Sequence, residues 1–157
     1  MKCSEPLCVK INAEEETLYS AQTAGQDSGF GAVHHVAVKV SDIHSTLESL
    51  AALGFTVEEP KLFEEVGMHI AFAGEESSRI EFFETLGTKG PGGEAPLGLH
   101  HVGVTVQNID ATYNAMKANP LFQVEGPIRQ GAHARIFFFR LKAEAHSLFE
   151  CVENKKA

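Results

Sequence analysis

The chain has 157 residues, 22% of them charged and 43% hydrophobic, and carries 13 Lys plus Arg against 21 Asp plus Glu, a formal charge of −8. That length supports one compact core, and the acidic balance excludes a basic nucleic-acid surface as its organising feature. Apolar runs of a few residues are too short to span a membrane, and three cysteines without zinc-ligand spacing (Cys3, Cys8, Cys151) read as reduced thiols of a cytoplasmic protein.

Residues 1–30 lack a signal-peptide core and carry Glu14, Glu15 and Glu16, so they are expected to be a partly ordered appendage, with a short strand at Leu7–Ile11. Residues 31–157 are expected to form a single domain. Its first module, 33–84, opens on Val33-His34-His35-Val36-Ala37-Val38-Lys39-Val40, whose period of two predicts a strand. Ser41 and Asp42 follow as capping side chains, and Ile43, Leu47 and Leu50 form one apolar helical stripe that Gly54 terminates. Strands are predicted at 55–57, 69–73 and 79–83. Residues 85–98 hold five glycines and two prolines and read as a linker.

The second module, 99–152, repeats this plan. Leu99-His100-His101-Val102-Gly103-Val104-Thr105-Val106 matches the first strand at an offset of 66. Asn108 caps a helix with Ile109, Tyr113 and Met116 on its stripe, and Asn119-Pro120 ends it. Strands are predicted at 122–124, 134–139 and 148–152. A shared register from strand through helix to closing strand predicts an α+β fold of two paired βαβββ modules, a curved mixed sheet around a cleft.

Alternation divides each histidine doublet. His35 shares a face with Ala37 and Lys39, and His101 with Gly103 and Thr105, small or polar neighbours that suit a cavity wall. His34 and His100 fall on the valine faces and are expected at the rim of the core, bonded to backbone carbonyls. Glu81 and Glu150 interrupt apolar closing strands at equivalent places, where a carboxylate is costly unless a positive group holds it. His35, Glu81, His101 and Glu150 therefore make an N2O2 set suited to a divalent ion (Co, Ni, Mn or Zn) with positions left for substrate.

This layout resembles the vicinal oxygen chelate (glyoxalase/bleomycin resistance) superfamily over residues 33–152. Within it, Gly98-Leu99-His100-His101-Val102-Gly103, Gly131-Ala132-His133 and Leu148-Phe149-Glu150-Cys151-Val152-Glu153 most resemble the methylmalonyl-CoA epimerases. The resemblance implies His35, Glu81, His101 and Glu150 as metal ligands, and proton abstraction α to a thioester carbonyl through a metal-stabilised enolate. It implies Glu150 as one base and a second glutamate after the first helix, where counting back from Gly67 favours Glu59 over Glu58, Glu64 and Glu65. Lys39 and His133 would orient the substrate, an acyl-CoA thioester. Arg129, Arg135 and Arg140 are the scattered cations available to its phosphates, and the protein would be a homodimer. The same ligand set also serves glyoxalase I-type lactoylglutathione lyases. Ring-cleaving dioxygenases need only one glutamate, and antibiotic-binding members of the superfamily use the cleft without a metal.

Overall fold

The computed structural model describes residues 29–76, 78–88 and 92–154, so the expected strand at Leu7–Ile11, together with Cys3 and Cys8, lies outside the described residues. The first module runs β1 (Phe30–Lys39), α1 (Ile43–Ala52), β2 (Lys61–Phe63), β3 (Met68–Ala73) and β4 (Arg79–Thr85). The second runs β5 (Gly98–Val106), α2 (Ile109–Ala118), β6 (Phe122–Gln130), β7 (Arg135–Leu141) and β8 (Glu144–Glu153). All eight strands form one mixed sheet in the order β2-β3-β4-β1-β5-β8-β7-β6. That order is the same module written twice, head to head. β1 is parallel to β4, β5 is parallel to β8, and the antiparallel β1–β5 pair joins the halves.

Both helices form where their caps and stripes predict. Asp42 Oδ1 accepts from the Ser45 N–H at 2.9 Å, and Asn108 Oδ1 accepts from the Ala111 N–H at 3.0 Å. Gly54, at φ +89, takes the left-handed turn that ends α1. Ile43 and Leu47 bury against Ala71, Ala73 and Phe82, with Val38 and Val40 beside them. Ile109 and Met116 bury against Val106, Phe137, Phe139 and Cys151. Each helix thus covers the outer face of its own half-sheet, and the inner faces are left to form a cleft. No helix among the described residues is long and apolar enough to cross a membrane.

Three strand expectations shift. At 55–57 only Val57 pairs, in one bridge to Ala73, and the edge ladder forms instead at Lys61–Phe63. Pro60 has no N–H to give and separates the two. β6 runs on to Gln130, past the expected end at 124. A register shift between Glu125 and Arg129 takes up Gly126, at φ +71, and Pro127. β8 begins at Glu144 rather than 148.

Candidate metal centre

Cross-strand register explains how two distant histidines and two distant glutamates meet. His35 on β1 lies opposite Gly103 on β5, and Gly103 is next to Glu150 on β8. His101 on β5 lies opposite Ala37 on β1, and Ala37 is next to Glu81 on β4. Residues paired across strands share a sheet face. The two rows, Glu150–Gly103–His35 and Glu81–Ala37–His101, therefore project four polar side chains into one place on the inner face.

Each row needs a small central residue. A Cβ on Gly103 would stand 2.5 Å from His35 Nδ1 and 2.9 Å from Nε2, so the imidazole occupies the space a side chain would take. Ala37 is wholly buried.

The resulting cluster is tight. His35 Nε2 is 3.1 Å from His101 Nε2, 3.3 Å from Glu150 Oε2 and 3.8 Å from Glu81 Oε2. His101 Nε2 is 3.8 Å from the same Glu150 oxygen. The relative exposures are 2% for His35, 5% for His101 and Glu150, and 9% for Glu81. Ligand atoms of His35, Glu81 and His101 all lie within 4.8 Å of one another, a grouping that could hold an ion, and Glu150 abuts it from the second row.

Burial sets the electrostatics. Desolvation pushes His35 down to about 3 and His100 down to about 4, and lowers His34 and His101, so the four imidazoles are neutral at pH 7. Desolvation raises both Glu81 and Glu150, and the Glu150 charge adds to the rise at Glu81. Among the described residues, no lysine or arginine forms an ion pair with either glutamate.

Two buried carboxylates face two neutral imidazoles with no cation in contact among the described residues, and the Arg129 guanidinium only partly offsets the burial at Glu150. A divalent ion of borderline softness supplies the missing positive charge and accepts this donor set. The 3.1 Å between the two Nε2 atoms also fits. Imidazole–metal bonds of about 2.1 Å let two nitrogens roughly 3 Å apart reach one ion together. The residues present fit a divalent ion.

Glu81, His101 and Glu150 line a cleft of about 450 Å³ whose apolar walls include Met68, Ile70, Phe83, Ile136 and Phe138. Phe72 and Phe138 set their edges against the rings of His35 and His101, with centroids 5.9 and 5.1 Å apart. These two phenylalanines are also 66 positions apart, so the repeat contained the signal that would have singled them out.

Other expected site residues are placed differently. Lys39 lies on the cleft-side face but donates to the carbonyls of Gly92 (2.9 Å), Gly93 (2.9 Å) and Ala95 (2.8 Å). With all three ammonium hydrogens on that loop, none is left to orient a substrate. Glu59 is exposed and does not line the cleft. Val57 packs into the α1 core, which turns Glu58, not Glu59, inward. Glu58 Oε2 lies 3.6 Å from His133 Nε2, and the His133 ring packs on Phe72 with centroids 5.0 Å apart. Glu64 and Glu65 line the cleft itself.

His34 and His100 do not bond backbone carbonyls. Each shares a hydrogen bond with its neighbour instead, Nδ1 to Nδ1, at 2.8 Å to His35 and 2.9 Å to His101.

Of the three arginines, Arg135 is committed to Asp110 and Glu153, and Arg140 to Glu125. Arg129 sits over the Phe138 ring at 5.3 Å. It lines both the cleft and an adjoining cavity of about 550 Å³.

Comparison with known proteins agrees with this architecture. The chain is 27% identical over 128 residues to the human protein "Methylmalonyl-CoA epimerase, mitochondrial", covering 75% of this chain and 70% of that one. The Bos taurus protein of the same name is 27% identical over 129 residues, covering 78% and 74%. The fold superposes on methylmalonyl-CoA epimerase from Mycobacterium tuberculosis with a TM-score of 0.71 at 19% identity, over 85% of this chain and 94% of that one. It superposes on a Streptomyces coelicolor methylmalonyl-CoA epimerase variant, crystallised with 2-nitronate-propionyl-CoA, with a TM-score of 0.71 at 21% identity, over 81% and 96%. Residues 32–139 match the family model described as Glyoxalase/Bleomycin resistance protein/Dioxygenase superfamily, and the chain belongs to that superfamily.

Proposed function

We propose that this chain is a divalent-metal-dependent epimerase that exchanges the proton α to a thioester carbonyl, with methylmalonyl-CoA as its substrate. One observation carries the reading: two matched rows of the sheet bring two buried histidines and two buried glutamates together, and Glu81, His101 and Glu150 of this cluster line a largely apolar cleft. His35, Glu81, His101 and Glu150 would hold the ion. When bound, the ion supplies Lewis acidity that favours negative charge on a carbonyl oxygen, worth several kcal/mol.

The protein groups do the rest. Glu150, which lines the cleft and whose Oε2 lies within 3.8 Å of both histidines, would take or return a proton on one face of the substrate. Exchange on both faces needs a second carrier. Glu64 and Glu65, which line the cleft, and Glu58, which pairs with His133 behind Phe72, are the carboxylates available for it in place of Glu59. A positioned base of this kind contributes roughly 10²–10⁴-fold. Met68, Ile70, Phe83 and Phe138 give the cleft an apolar wall, which strengthens the electrostatic contacts made against it. All four donors come from one chain, so the homodimer we propose does not need to share a site across its interface.

The closest competing reaction is that of a glyoxalase I-type lyase, which needs the same donors. Incubation in D2O with methylmalonyl-CoA, and separately with methylglyoxal plus glutathione, separates them. The expected outcome is deuterium at the α-carbon of methylmalonyl-CoA and no conversion of the hemithioacetal. Conversion of the hemithioacetal without α-exchange would replace this reading with the lyase.

A further inference from the structure

Both histidine doublets sit on β-bulges. Along the β1–β5 ladder Val33 pairs with Val104 and His35 with Gly103, so His34 is one residue too many on β1. Further along, Ala37 pairs with His101 and Val38 with Leu99, so His100 is one residue too many on β5. A bulge breaks the strict alternation of strand faces and re-aims the side chain of its extra residue. Two neighbours that would point apart in a regular strand can then touch. Here they do, twice, at 2.8 and 2.9 Å.

With the 3.1 Å contact between His35 and His101, the four rings form one chain of N···N hydrogen bonds, His34–His35–His101–His100. Each contact holds one proton, and each neutral imidazole brings one proton. In the metal-free chain only a one-way arrangement satisfies all three contacts, with one outer histidine donating from Nδ1 and the other accepting there. An ion at the centre requires a lone pair on both inner Nε2 atoms. Both inner protons must then sit on Nδ1, and both outer rings must accept.

We propose that His34 and His100 are positioning residues for the metal centre. Each accepts the Nδ1 proton of the adjacent ligand histidine, and so fixes that ring in the tautomer and orientation that turn its Nε2 lone pair toward the ion. This rests on the metal-centre reading above. Outer partners of metal-bound histidines commonly act in this way, and their loss costs about 10–100-fold in metal affinity. Loading the site reverses the tautomer of one outer histidine and one inner histidine together.

The test uses the full chain and Zn2+, which is diamagnetic. Nitrogen-15 NMR of labelled histidine should show His35 and His101 protonated at Nδ1 and His34 and His100 protonated at Nε2 in the Zn2+ form. Chelator competition should show Zn2+ binding weakened about 10–100-fold in His34→Phe and in His100→Phe, and restored in His34→Asn, whose amide oxygen can accept at the Nδ1 position. An outer Nδ1 still protonated in the Zn2+ form would overturn the proposal even if the Phe variants fail to fold. Wild-type affinity in both folded Phe variants would also overturn it while leaving the metal centre intact. Wild-type protein that takes up no Zn2+ would remove the metal centre and this inference together.

Discussion

Gly103 is the residue whose side chain, or lack of one, most constrains the centre. Its Cα faces His35 so closely that a methyl group would displace the imidazole ring. Gly103→Ala should leave the helices and strands in place and weaken Zn2+ binding by at least about 10-fold, the range seen when a ligand's orientation is lost. Chelator competition with far-UV circular dichroism as a folding control checks this, and unchanged affinity would contradict it. At this scale the sequence was informative where the strand is regular. Alternation selected His35 and His101, and duplication selected Glu81 and Glu150. It misread His34 and His100, because alternation assumes an unbroken ladder and both residues are the extra residues of bulges. It misread Lys39 too, since a polar cleft-side position does not reveal that three loop carbonyls already take its hydrogens.

Among the elements, residues 92–95 of the segment before β5 are held by that lysine. Nothing in its glycine-rich composition dictates a fixed course, yet the carbonyls of Gly92, Gly93 and Ala95 converge on one buried ammonium. Lys39→Met removes the donors and leaves the carbonyls to water or to nothing. A loss of about 2–3 kcal/mol in unfolding free energy is expected, with faster proteolysis within 92–97. Denaturant unfolding and limited proteolysis measure both, and a loop cleaved no faster than in the wild type would contradict the assignment. At α1, Asp42 accepts from both the N–H and the hydroxyl of Ser45, each at 2.9 Å. Asp42→Ala should lower stability in the same unfolding experiment, and no measurable loss would contradict the cap. The helices were legible from the sequence because caps and stripes are local signals. The edge strands were less so: β2 lies beyond Pro60, and β6 continues past Gly126-Pro127 by a bulge, where those two residues also read as the end of a strand.

The molecule as a whole follows from the duplication. Two copies of one module, joined through their first strands, turn two matched His and Glu positions into a single four-donor cluster. That cluster gives the metal-free protein a characteristic pH response. Burial raises Glu81 and Glu150, so over a range above the ordinary carboxylate pKa the unfolded chain has released protons that the folded site still holds. Stability conferred below that range is therefore lost as pH rises. Above about pH 7 the lowered histidines are neutral in both states and add little slope. A bound ion replaces the retained protons and removes the loss, so the rise in melting temperature on adding Zn2+ should be larger at about pH 8.5 than at about pH 7. An equal or smaller rise at the higher pH would contradict this electrostatic picture.

The most direct test of the central claim, that this cluster is a metal centre for α-proton exchange, is deuterium wash-in to methylmalonyl-CoA by protein stripped with a chelator and then reloaded. Exchange should vanish on stripping, return with one divalent ion per chain, and fail to return in Glu150→Ala. Exchange that persists in fully stripped protein, or that Glu150→Ala supports at the wild-type rate, would contradict the account.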